Sequence, residues 1–118
     1  MDYSQLSDFE INKRVFKAIV GAKPLGYPHN ADGRSVGNES NGNYRWYDYC
    51  NNPEDAWPII TENKISIMFD STDTRYEGEY HEWCDAISSC QKFGIQHQSN
   101  PLRAAMIVFL LMQEANNA

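Results

Sequence analysis

Three cysteines and three histidines are the residues through which this chain could do metal or thiol chemistry, and their spacing argues against both. Cys50, Cys84 and Cys90 stand with His29, His81 and His97. His81-x-x-Cys84 and Cys84-x5-Cys90 are close in sequence, but structural zinc sites pair their ligands tightly, as in CxxC. On a strand, positions 81 and 84 point to opposite faces, which would split such a site. A thiol nucleophile needs a base beside it. Cys84 with His97 and Cys90 with His81 are the pairs to consider, and no local nucleophile signature surrounds either. Carboxylates gather at Asp70, Asp73, Glu77, Glu79, Glu82 and Asp85. Their simplest expectation is an acidic, solvated hairpin, which also blunts an edge strand against aggregation. Gly33, Gly37 and Gly42 lack the strand and helix that a phosphate loop requires around them. No catalytic residue, metal ligand or cofactor site is assigned on these grounds.

The remaining candidate chemistry is recognition. Tyr44, Trp46, Tyr47 and Tyr49 lie in the run NYRWYDY. The alternation puts Tyr44, Trp46 and Asp48 on one side of a short strand and Arg45, Tyr47 and Tyr49 on the other. Aromatic side chains at a surface stack on bases or anchor protein partners. With Arg45 the one cation among them, stacking on nucleic acid is weakly supported. Packing in the core or along an edge strand is the competing account of this set, ahead of a protein-binding patch.

The elements that must position these residues are unevenly written. Residues 100–114 open with Asn100-Pro101, a capping side chain followed by a proline whose missing N–H costs nothing there. Nine apolar residues follow, Ala104 to Met112. That is far short of the roughly 20 needed to cross a bilayer, and a helix apolar all round is a buried one. One sheet cannot cover so broad a surface. A second helix of the same chain or a second subunit is expected against helix 101–114. A first helix is expected after Ser7, with Glu10 at capping-box spacing, a Leu6–Ile11 staple, and Ile11, Val15, Ala18 and Ile19 recurring on one face. Gly21 and Pro24 end it.

Residues 22–43 hold Pro24, Gly26, Pro28, Gly33, Gly37 and Gly42 among Asn, Asp and Ser, with no apolar period. A long, unpatterned and poorly buried loop is expected there, with Tyr27, His29 and Arg34 the residues able to reach a ligand. Asn52-Pro53-Glu54-Asp55 repeats the cap-then-proline start, Ala56, Trp57, Ile59 and Ile60 supply the apolar side, and Pro58 predicts a kink or a regular helix beginning near Asp55. Ile65–Phe69 reads as a strand with Ile65, Ile67 and Phe69 inward. Asp70–Gly78 reads as a polar turn, and Glu79–Ser89 as the partner strand. Gln91–Ser99 is expected to pair briefly around Ile95. The class is α+β: a small antiparallel sheet packed by helices, in a single domain spanning 1–118.

Composition narrows the function classes. A net charge of −6 with only ten Lys and Arg, and no run of them, argues against a general phosphate-binding surface. An odd number of cysteines with no leader-like start at Met1-Asp2-Tyr3-Ser4 points to free thiols in a reducing cytoplasm.

Three blocks carry a family resemblance: LSDFEINKRVFKAI at Leu6–Ile19, YCNNPEDAWPIITENKISI at Tyr49–Ile67, and NPLRAAMIVFLLMQEAN at Asn100–Asn116. They resemble the NinX family of small proteins encoded by lambdoid phages and prophages, over a little under half of the chain. Residues 22–43 and 70–98 lie outside the resemblance. The layout is also similar to short phage proteins described as α-β-α sandwiches, which implies helices on both faces of the sheet. The resemblance implies a phage origin, the host bacterial cytoplasm and an accessory role, and it carries no catalytic residue. The expected activity is binding of a host or phage protein, without enzymatic chemistry and without a membrane. A nucleic-acid-associated factor or acidic nucleic-acid mimic is the alternative, with a small hydrolase behind it.

Overall fold

The computed structural model describes residues 1–72 and 80–117. Asp73, Glu77 and Glu79, with most of the expected polar turn, lie outside the described residues.

Each helix begins where its cap is written. In α1 (Asp8–Val20) the Ser7 hydroxyl accepts the Glu10 N–H at 3.1 Å, and Gly21 closes the far end at φ 81°, a left-handed conformation that glycine adopts without a Cβ clash. The Glu10 carboxylate pairs with Lys13 and Arg14, both at 3.1 Å. The buried face is Ile11, Asn12, Val15 and Phe16; Ile19, expected inside, is about half exposed. In α2 (Pro53–Glu62) the Asn52 side chain accepts from Glu54 N–H, and the helix runs through Pro58. Pro58 leaves the Glu54 carbonyl without its intrahelical donor, and Glu54 is exposed to water, which can supply one. In α3 (Pro101–Asn116) the Asn100 side chain accepts from both Leu102 and Arg103 N–H, and Ala104 to Leu110 are seven consecutive buried residues.

Two antiparallel sheets accompany the helices. β1 (Val36–Ser40) pairs with β2 (Asn43–Tyr47), and β3 (Ile65–Ser71) with β4 (Glu82–Ser88), which in turn pairs with β5 (Gly94–Gln98). The class is α+β, as expected. α3 lies across the three-stranded sheet and contacts all of its strands, while α1 and α2 pack against α3. Inward residues Ile65, Cys84, Ala86 and Ser88 are buried beneath it. The layering therefore departs from a sheet held between two helical layers: the second helical layer covers α3, and Ser66, Met68 and Asp70 on the sheet's other face are exposed. The reason is the breadth of α3, whose seven buried positions need cover on every side. That cover comes from within the chain, so helix 101–114 has little apolar surface left for a subunit contact. Among the described residues, no helix is long and apolar enough to cross a membrane.

The expected loop 22–43 is corrected at its end. Val36 is fully buried and Ser35 nearly so, and Val36–Ser40 is a strand joined to β2 by Asn41-Gly42, both at positive φ. An Asn-Gly pair between two strands is the two-residue hairpin turn, because both positions tolerate the left-handed conformation that matches strand twist. The segment before the strand is tied down as well. Leu25 N–H donates to Gly37 O at 2.9 Å, and His29 N–H to Ser35 O at 3.1 Å. Asp32 accepts from the Arg34 and Ser35 amides, each at 2.9 Å, and from the Ser35 hydroxyl. Burial acts to raise the Asp32 carboxyl, but these donors outweigh it and hold it below its ordinary range. Gly37 lies against the Trp46 ring, where any Cβ would come within 2.5 Å of it.

Candidate interaction site

The conspicuous polar assembly of this molecule is structural. Three helix starts converge on the turn Asp48–Asn51. Asn12, fully buried on α1, donates to Asp48 Oδ1 at 3.0 Å and to Arg34 O at 2.9 Å, and its own oxygen accepts the Cys50 N–H at 3.2 Å. Asp48 also accepts from Arg34 Nε at 2.6 Å and from Asn51, and its N–H donates to Asp55 at the start of α2. Asn100, the cap of α3, donates to Cys50 O at 2.8 Å and to the side-chain Oδ1 of Asn51 at 3.0 Å. Arg103 ties Asp8 at 2.7 Å to the carbonyls of Ser4 and Leu6. No buried side-chain nitrogen or oxygen among the described residues is left without a partner. The positive ends of three helix dipoles are thus answered by Asp8, Asp48 and Asp55 rather than held open for a ligand. This accounts for the NNPEDAW and NPLR blocks as fold-making motifs. Asn12 carried no signal as a site, since an asparagine inside an apolar stripe reads as a surface residue.

The aromatic set Tyr44, Trp46, Tyr47 and Tyr49 is not gathered on one open face. Tyr49 is 5% exposed. Tyr47 stacks on it at 5.8 Å and packs on Phe16 at 5.9 Å, with the Arg45 guanidinium over its ring. Trp46, half-buried, meets His29 edge-on at 4.8 Å and Tyr27 at 6.4 Å. Of the four, Tyr44 alone is exposed. The strand alternation is as expected, but α1 covers one side of it, and the 22–35 segment covers part of the other.

The thiol pairs are also separated. Cys84 faces inward and donates to Gln98 O at 3.2 Å, whereas His97 stacks on Trp83 at 4.9 Å on the opposite face of the sheet. His97 sits at a bulge, at φ 56°, with its N–H on Asp85 at 2.9 Å. Cys90 follows the end of β4 and His81 precedes its start, so the strand's length divides them. Among the described residues, no three His, Cys, Asp or Glu side chains are grouped to hold a metal ion. Burial and the nearby Asp8 and Asp48 carboxylates push the Cys50 thiol far up; burial and Asp85 raise Cys84. Cys90 is exposed, and the Ser88 hydroxyl, with backbone N–H groups behind it, lowers its pKa. One thiol, Cys90, is therefore expected to react within seconds to minutes with a disulfide reagent on the native protein at neutral pH. All three should react after denaturation without reductant. Two fast native thiols would contradict this burial pattern.

What the sequence did not reveal is an apolar groove of about 810 Å³ between α2, β3 and the start of α3. Trp57, Ile60 and Thr61 of α2 line it with Ile65, Ile67 and Phe69 of β3, and Pro101 and Leu102 close one end. Phe69, expected inward, is 75% exposed, and Trp57 is 59% exposed. Phe69 has inward parity but lies beyond the reach of the helical layer; its cross-strand neighbour Cys84 is already under α3. Trp57, expected on the apolar side of α2 with Ala56, Ile59 and Ile60, is not buried with them. The stripe Ala56–Ile59–Ile60 uses the i, i+3, i+4 positions of α2 and leaves residue 57 off it. A second hollow of about 560 Å³, beside Tyr3, is rimmed by Arg14, Lys17, Gln113 and Glu114 and offers far less apolar surface.

The described residues form a small α+β protein with a self-satisfied polar hub and a broad apolar groove. The chain belongs to the family described as Bacteriophage P22, NinX, whose model matches residues 2–113, and it is a phage accessory protein. The match includes the segments 22–43 and 70–98 that lie outside the three resembling blocks. Comparison with curated proteins and with solved structures found no match.

Proposed function

We propose that this protein works in the host bacterial cytoplasm as a non-enzymatic protein-binding module, and that the groove between α2 and β3 is its binding surface. The observation that carries the reading is the pair of large rings at the groove, Trp57 and Phe69, each more than half exposed. Contiguous exposed apolar surface of this kind is costly in water unless something covers it, and tryptophan is the residue most enriched at interface hot spots. Acidic mimicry of nucleic acid has less support: Asp8, Asp32, Asp48 and Asp55 are engaged by the chain's own donors.

Affinity capture from infected or lysogenic cells tests the reading. Trp57→Ser and Phe69→Ser should stay folded, since both side chains are largely outside the core, and should lose the protein that the wild type retains. Equal capture by wild type and both variants would remove the groove from consideration.

A further inference from the structure

The groove is the space of a missing strand. In an antiparallel pair, opposed residues either exchange both backbone hydrogen bonds or exchange none, and the two kinds alternate. The Thr72 N–H donates to His81 O at 2.9 Å, one step beyond the β3–β4 ladder. By alternation, Asp70, Met68 and Ser66 are the β3 residues whose backbone groups face β4. The far side of β4 agrees. Ser88 N–H donates to Phe93 O at 2.8 Å, which turns even-numbered residues of β4 toward β5 and odd-numbered ones toward β3. The N–H and C=O groups of Ile67 and Phe69 therefore point out of the sheet, and nothing among the described residues pairs with them. Among the described residues, the usual guards of an edge are missing. Ile65–Ser71 holds no proline, and its single charge, Asp70, is on the other face. Beneath this edge, Trp57, Ile60 and Leu102 are helix surface lying where the inner face of one more strand would rest.

We propose that the occupant is β3 of a second copy of this chain, paired antiparallel about a two-fold axis at Ile67. The inference rests on the groove being the binding surface, and names its partner. The strand is complementary to itself in this register. Ile67 lies opposite Ile67 of the second copy. Ile65 lies opposite Phe69, so the ring that stands exposed on one chain falls into the other chain's groove beside Trp57. Ser66 lies opposite Met68 of the second copy on the outer face, which brings no like charges together. Lys64 precedes the strand at φ 56°, with its Nζ on Thr61 O at 3.2 Å, and takes no part in the ladder. Moving the axis to Met68 would place Ile65 opposite Ser71, and the apolar match would be lost at each end. The product is a continuous six-stranded sheet whose two apolar grooves are each filled by the other copy.

Sedimentation velocity with light scattering on the full chain tests this. The wild type should be a dimer at micromolar concentration. Phe69→Lys should be a folded monomer, because that side chain is outside the core. Ser66 and Met68 are exposed outer-face positions that oppose one another in this register. Ser66→Lys with Met68→Lys should weaken the dimer by roughly tenfold or more through like-charge contacts, and Ser66→Glu with Met68→Lys should recover most of the loss. A wild type that remains monomeric overturns the proposal, as does a dimer indifferent to Phe69→Lys or an opposite-charge variant at Ser66 and Met68 no better than the like-charge one. The binding reading fails separately, only if the serine variants at Trp57 and Phe69 still capture the same protein.

Discussion

Phe109→Ala is expected to leave the protein marginal or unfolded, at a cost of about 3–5 kcal/mol, the range for emptying a buried aromatic site. Phe109 is 4% exposed and belongs to the run of seven buried residues of α3, the helix that touches α1, α2 and all three strands of the larger sheet. Because α3 is packed by elements on several sides, no single one can relax to fill the void. A protein of this size holds only about 5–15 kcal/mol of stability, and the loss is a large share of it. Because α3 is covered by its own chain, the change should lower the denaturation midpoint without altering the association state. Urea denaturation with light scattering reads both quantities. A fully stable variant, or a stable one that changes its mass, would show that α3 is not the internal keel described above.

Asn12→Ala is the second large effect, on the order of 3 kcal/mol, and its cause is polar. The substitution removes the acceptor for the Cys50 N–H, which belongs to a residue with no exposure, and an orphaned buried donor costs about 1–3 kcal/mol on its own. It also releases the tie between α1 and both Arg34 O and Asp48. Asp48 keeps Arg34 and Asn51, so the hub loosens rather than collapses. Asn12→Asp would set a second carboxylate beside Asp48. The shared site would bind a proton more tightly when folded than when unfolded, so its stability would be present at low pH and lost as pH rises through that raised pKa. Denaturation midpoints of this variant at pH 5 and pH 7.5 should therefore differ, with the acid value higher. A variant equally stable at both would mean that residue 12 and Asp48 do not share the site.

The two predictions differ in how readily they could be foreseen. Phe109 is legible because helix caps, proline positions and apolar runs act over a few residues, and Asn100-Pro101 followed by Ala104–Met112 carries all three signals. The same locality made α1, α2 and the in–out parity of β3 and β4 readable. Strand β1 was missed although Asn41-Gly42 marks its hairpin, because one buried valine among glycines and asparagines makes no period. Asn12 illustrates the opposite limit. Its amide is used by Arg34, Asp48 and Cys50, as many as 38 positions away, and no local pattern announces such a convergence.

By itself, then, the amino-acid order determined where helices begin, the α+β class, and the three blocks that resemble the NinX family, since each depends on near neighbours. Only the tertiary structure decided which apolar residues remained uncovered. Phe69 has the composition and the parity of a core residue, and Trp57 has the composition of one. Their exposure follows from how far the helical layer extends beside β3, which is a property of the packed whole.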